Sequence, residues 1–301
     1  MKKMRLHIYI AMAFFLTFFI VGSFLDLEIS KMAFIKDHGF GIAVSALSMN
    51  LGYGVIALMG GIVFHHALKF RDIAWQKILI IVFALAFYGC ATYFAGEEFF
   101  GENGWYGVAP EWVGYLIAAP LMAGCSVSGY FIAKKVNNPS LFFLMVVGAL
   151  FIVLALIIGT VLIKNFFHRP RYRIVVYEGY ADFYPWWERC VDYKSIMAQF
   201  GLLKEEFRSF PSGHTSVCSL VMLFVVVLPF ILNKEIKHQV LYFYLALLYA
   251  LFVANTRIVV GAHFMSDVGM GGLITTTCLY IYYEIILHYP SLYKEKEVTQ
   301  E

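Results

Sequence analysis

The chain has 301 residues, of which 61% are hydrophobic and 14% charged; a soluble domain carries about 25% charged residues, so the composition excludes a soluble fold and places the chain in a membrane. The formal net charge of +3 sits in short loops with no basic stripe, which gives no case for a nucleic-acid partner. Five cysteines (Cys90, Cys125, Cys190, Cys218 and Cys278) lack C-x-x-C spacing, and only Cys190 lies in a long loop, so they are expected to be small buried hydrophobes and not a disulfide framework.

In chain order, Met1-Lys-Lys-Met-Arg5 leads into an apolar run from about Ile8 to Leu25. Val21-Gly-Ser23 loosely resembles a signal-peptide cleavage site, but the length of the run and the spans that follow favour an uncleaved first span. Further runs cover Gly41–Phe64, Ile78–Ala95, Val113–Ala133, Leu141–Ile163, Thr215–Leu232, Val240–Val253 and Ser266–His288. Each approaches the roughly 20 residues that cross about 30 Å of hydrocarbon, the run from Val240 only if it continues through Arg257. The expected architecture is an all-α bundle of eight transmembrane helices, because lipid tolerates no other open backbone.

Lys and Arg set the expected topology. Lys2, Lys3 and Arg5, then Lys69, Arg71 and Lys77, then Lys134 and Lys135, then Lys234 and Lys237, then Lys294 and Lys296 all fall on one side, which the rule makes cytoplasmic. Asp26, Glu28, Glu97, Glu98, Glu102 and Glu111 fall on the other. The loop from Lys164 to Pro211 breaks the pattern, since it is extracytoplasmic yet carries Lys164, His168, Arg169, Arg171 and Arg173 beside the membrane. Its aromatic residues, among them Tyr177, Tyr184, Trp186 and Trp187, suit an interfacial belt better than a dedicated lid. His65 and His66 end the second span on the opposite side, where an interfacial role is expected.

Three stretches carry chemistry, and the topology brings them to one face. Lys164-Asn-Phe-Phe-His-Arg169-Pro170-Arg171 ends the fifth span. Its cations either snorkel to the interface or clamp a phosphoryl group. Pro211-Ser212-Gly213-His214 opens the sixth span. Ser212 suits a helix cap, Gly213 a close backbone approach, and the helix start an anion; His214 there is a proton donor to a leaving oxygen or a plain interfacial histidine. Thr256-Arg257 through His263 to Asp267 precedes and enters the eighth. On a helix, His263 and Asp267 at i and i+4 share a face; a carboxylate that takes one imidazole N–H fixes the tautomer and leaves the other nitrogen to attack. Arg257, expected just ahead of that helix, offers a fork suited to phosphate oxygens.

Together these stretches resemble the type 2 phosphatidic acid phosphatase superfamily, whose pattern is Lys-x6-Arg-Pro, Pro-Ser-Gly-His and Ser-Arg-x5-His-x3-Asp. Thr256 stands for the Ser, Tyr172 replaces the expected Pro after Arg171, and Arg169-Pro170 falls two residues early. The resemblance implies a six-span core over residues 77–288, an active-site loop over 164–211, and two added spans over 1–76. It implies His263 as nucleophile through a phosphohistidine, Asp267 as its orienting group, and His214 as acid and then base. Lys164, Arg171, Ser212, Gly213 and Arg257 would hold the phosphate, with no metal and no cofactor. The expected function is hydrolysis of a lipid phosphate monoester or pyrophosphate at the extracytoplasmic face of the cell membrane. Candidate substrates are phosphatidic acid, phosphatidylglycerophosphate and undecaprenyl pyrophosphate. A lipid phosphotransferase of the same family and a multi-span transporter are the alternatives.

Overall fold

The computed structural model describes residues 4–100 and 110–290; Lys2, Lys3, Glu102, Lys294 and Lys296 lie outside them. Among these described residues, eight helices are long and apolar enough to cross a membrane: α1 (Arg5–Ala33), α2 (Gly39–Phe70), α3 (Ala74–Phe100), α4 (Glu111–Val136), α5 (Leu141–Phe167), α7 (Gly213–Leu232), α8 (Gln239–Val259) and α9 (Met265–His288). The extra helix α6 (Tyr193–Phe200) lies in the long loop between α5 and α7. The expected eight-span all-α bundle is therefore present, with no strand among the described residues. Turn chemistry sets two of the helix ends. Asn137 and Asn233 take the left-handed conformation just past α4 and α7, which a short polar side chain tolerates better than most.

α2 touches α3, α4, α5, α7 and α8, while α1 runs along α9. Near the site the α1–α9 contact comes down to backbone. A Cβ at Gly22 would stand 2.3 Å from the Ser266 nitrogen, and one at Gly269 would stand 2.4 Å from the Phe19 nitrogen. Helices in lipid associate through such small-residue contacts, since no water is there to drive apolar surfaces together. The Tyr282 hydroxyl donates to the Leu144 carbonyl (2.6 Å) and ties α9 to α5.

α5 does not end as a plain α-helix. Residues 157–163 widen into π-helical turns before Lys164–Phe167 resumes α geometry, an irregularity frequent at functional sites. The loop that follows has its own small core of Ile174, Cys190 and Phe207. Arg173 and Glu206 close it with a buried two-point ion pair. Trp186 lies on Phe210 and donates to the Ser23 hydroxyl (2.8 Å), whereas Trp187 is exposed. The loop aromatics thus divide between an ordered cap seated on α1 and an outer rim. His65 and His66 are buried at the far end of α2, packed on Phe70, Tyr130 and Phe142.

Candidate active site

The residues marked in the sequence meet at one end of the bundle: Lys164 in the last turn of α5, Arg171 in the loop after it, Ser212, Gly213 and His214 at the start of α7, Arg257 in the last turn of α8, His263 in the α8–α9 turn, and Asp267 in the first turn of α9. All are buried except Gly213, which is half-buried.

The Arg257–His263–Asp267 spacing has a local cause that differs from the expected shared helix. α8 ends at Arg257 and the two residues after it; Gly261 then turns left-handed, with φ of +68°. The N–H of Gly261 donates to the Ile258 carbonyl (2.9 Å) and that of Ala262 to the Arg257 carbonyl (3.0 Å), the paired bonds of a Schellman turn. The His263 N–H shares the Arg257 carbonyl (3.2 Å). His263 therefore precedes α9, and Asp267 lies one turn inside it, where its Oδ2 accepts the Phe264 N–H (2.7 Å) as a helix cap. Arg257 belongs to the helix before the turn, not to the approach to α9.

This changes the partner of the imidazole. His263 Nδ1 stands 2.7 Å from the Ser209 carbonyl and 3.6 Å from Asp267 Oδ2. A carbonyl only accepts, so Nδ1 carries the proton and Nε2 keeps its lone pair. Asp267 is linked to the ring through Ser209, whose hydroxyl donates to Oδ2. Burial pushes the His263 pKa well below that of an ordinary imidazole, and Arg171 and Arg257 push the same way against the pull of Asp267. The ring is thus neutral near pH 7, beside two cations, with one nitrogen able to attack.

The other side chains divide by what already holds them. Ser212 caps α7, its oxygen accepting from Thr215 N (3.3 Å), while its own N–H donates to the Asp267 carbonyl (2.9 Å). What the start of α7 offers an anion is the Ser212 hydroxyl proton and the N–H groups of Gly213 and His214, the first two of the helix, which have no acceptor within it. The Arg171 guanidinium is aimed by its Nε, which donates to the Glu205 carbonyl (2.9 Å). Lys164 arrives on the widened end of α5, which packs on the start of α7. His214 Nε2 stands 3.1 Å from Glu98 Oε2 on α3, a carboxylate suited to stabilise a protonated ring.

Arg169 lies outside this group. Its Nη1 donates to Asp267 Oδ1 (2.6 Å) and Ser266 (2.9 Å), its Nη2 to Asp26 Oδ2 (2.8 Å), and its Nε to the Tyr184 carbonyl (2.8 Å). It lies behind Asp267 with its nitrogens engaged there. Sequence reasoning missed Ser209 and Ser266, and it noted Asp26 and Glu98 only as acids of the outer side. None of the four stands at a motif spacing; Ser209, two residues before Pro211, is the nearest to a readable signal.

No three His, Cys, Asp or Glu side chains converge as metal ligands among the described residues. The arrangement gathers a neutral imidazole with one unprotonated ring nitrogen, three cationic side chains and a second imidazole at one end of the bundle. No curated protein and no solved structure matches the chain. Residues 143–289 match the family model described as PAP2 superfamily. That segment, just under half of the chain, runs from α5 past the end of α9, holds every motif residue from Lys164 to Asp267, and is the part of the chain that is similar to the PAP2 superfamily.

Proposed function

We propose that this membrane phosphatase-type protein hydrolyses a phosphate monoester or pyrophosphate carried by a lipid, by way of a phosphohistidine on His263. One observation carries the reading: the neutral, buried imidazole whose Nδ1–H is taken by Ser209, in the electrostatic field of Arg171 and Arg257.

In the first step His263 Nε2 attacks phosphorus and the bond to the lipid oxygen breaks. That oxygen takes the proton of His214, which Glu98 helps to hold. Lys164, Arg171, Arg257, the Ser212 hydroxyl and the Gly213 N–H neutralise the oxygens of the transferring group, and this electrostatic work supplies most of the catalysis. In the second step His214 takes a proton from water, the water oxygen attacks phosphorus, and the P–N bond breaks to release inorganic phosphate. With a second lipid hydroxyl in place of water the same steps make a phosphotransferase.

Positive-inside counting supports an extracytoplasmic site, since Lys69, Arg71, Lys134, Lys135, Lys234 and Lys237 gather at the end of the bundle away from His263. Apolar exposed faces around the helices and the aromatic rim of the α5–α7 loop support a substrate that reaches the site from the bilayer. Candidate lipids are phosphatidic acid, phosphatidylglycerophosphate and undecaprenyl pyrophosphate. Purified protein given each lipid phosphate in turn should release inorganic phosphate from at least one, and His263→Ala from none. Phosphate release that survives His263→Ala would refute the reading.

A further inference from the structure

The segment that matches the family begins at residue 143, yet one buried acidic residue of the site region comes from α1. Asp26 is buried, and its carboxylate is held by Ser266 of α9 and by Arg169 of the loop after α5. Its Oδ1 accepts the Ser266 N–H (2.8 Å), at the second position of α9. Its Oδ2 accepts both the Ser266 hydroxyl and Arg169 Nη2, the latter at 2.8 Å. Arg169 in turn spends Nη1 on Asp267 Oδ1 (2.6 Å). The order is therefore Asp26, Arg169, Asp267, and then Ser209 and His263.

The fold is shaped to admit this carboxylate. Gly22 lies one turn before Asp26, and a Cβ there would meet Ser266 N at 2.3 Å and the Asp26 carboxylate itself at 2.8 Å. Gly272, one turn beyond Gly269 on α9, leaves the space that the Phe15 ring fills. The helix pair is pressed together where Asp26 reaches across, and Asp26 serves as a cap for α9 supplied by a different helix.

From this geometry we infer that Asp26 is a positioning residue for the phosphoryl-transfer site, acting through Arg169 to fix the carboxylate of Asp267, so that α1 is a working part of the site. The inference rests on the phosphatase reading above. Asp267 has two oxygens with different tasks. Oδ1 is anchored by Arg169, and this leaves Oδ2 aimed at the Phe264 N–H, Ser209 and the ring. Without Asp26, Arg169 loses its second anion and is no longer held in line with Oδ1.

Asp26→Asn is the informative change, because the amide keeps an acceptor for Ser266 N–H but turns a donor towards Arg169 and the Ser266 hydroxyl. With a lipid phosphate that the wild type hydrolyses, kcat should fall about tenfold or more, with KM within about threefold, the pattern of a lost outer partner of an oriented imidazole. A wild-type kcat in the folded Asp26→Asn protein would overturn the inference. Should that variant not fold, Arg169→Lys keeps a cation between the two carboxylates but loses the planar fork that holds both at once. It should fold and remain slow, and a wild-type kcat there would overturn the inference. A third readout does not depend on turnover. The ring nitrogen-15 signals of His263, assigned by their loss in His263→Ala, should show one Nδ1–H tautomer in the wild type and a mixture in Asp26→Asn; an unchanged spectrum would also overturn the inference. If the wild type releases phosphate from no lipid, the phosphatase reading fails, and the ring spectrum alone still decides whether Asp26 acts on His263.

Discussion

At the scale of single residues, the site works by separating jobs that the sequence lets one read as shared. Arg169, Arg171 and Arg257 look alike in sequence, but Arg169 holds Asp267, whereas Arg171 and Arg257 act on the space around His263. Arg257→Gln should therefore cost about 100- to 1,000-fold in kcat/KM, the scale of removing one preorganised donor from a developing charge. Arg169→Met should lower kcat and also destabilise the protein by about 3–5 kcal/mol, because it leaves Asp26 and Asp267 buried without their cation; thermal unfolding in micelles separates the two variants. His214→Ala should slow turnover about 100- to 10,000-fold, and less for a substrate with a good leaving group. The neutral His263 makes a further prediction about pH. Its pKa is depressed, so the nucleophile persists as pH falls through about 6.5, where a free imidazole protonates. The rate of phosphoenzyme formation from a substrate with a good leaving group should hold across that value and drop only at lower pH. An acid limb centred at or above 6.5 would show that His263 is not held neutral.

At the scale of elements, the turn between α8 and α9 sets the distance from Arg257 to His263. Gly261 is the hinge of that turn. An alanine there would pay about 1–2 kcal/mol for the left-handed backbone, and its Cβ would meet the Phe34 ring at 2.8 Å. Gly261→Ala should lower the unfolding midpoint and, by moving His263, cost more activity than stability; equal activity per folded molecule would refute the link. The same turn shows how far sequence reading reached. The spacing of Arg257, His263 and Asp267 was legible because the motif is local. The geometry behind it was not, since i and i+4 fit a helix and also a cap that begins one residue after His263. Ser209, Asp26 and Glu98 were not legible as site residues, because each joins its partner across 54 or more residues and no spacing rule spans such a gap.

At the scale of the whole molecule, hydropathy sufficed for the eight spans because the lipid fixes both their length and their backbone bonding. It did not tell which helices surround the site, since burial against protein and burial in lipid favour the same side chains. Sidedness has a direct probe, although Cys190 is not it. Burial and then the neighbouring Asp192 push the Cys190 thiol up to about 12, so it should resist thiol reagents in the folded protein. Val191, next to it, is 78% exposed. Val191→Cys should be labelled in intact cells by a membrane-impermeant maleimide, and labelling only after lysis would put the site on the cytoplasmic face. Full activity in excess chelator is expected, because Lys164, Arg171 and Arg257 supply the charge that a metal would; loss restored by a divalent ion would contradict that. The central claim is the covalent step, and rapid quenching with a phosphate-labelled lipid tests it most directly. The account predicts an acid-labile phosphoenzyme whose label maps to His263, absent from His263→Ala and still formed by His214→Ala with a good leaving group. Turnover without such an intermediate, or label on His214, would contradict it.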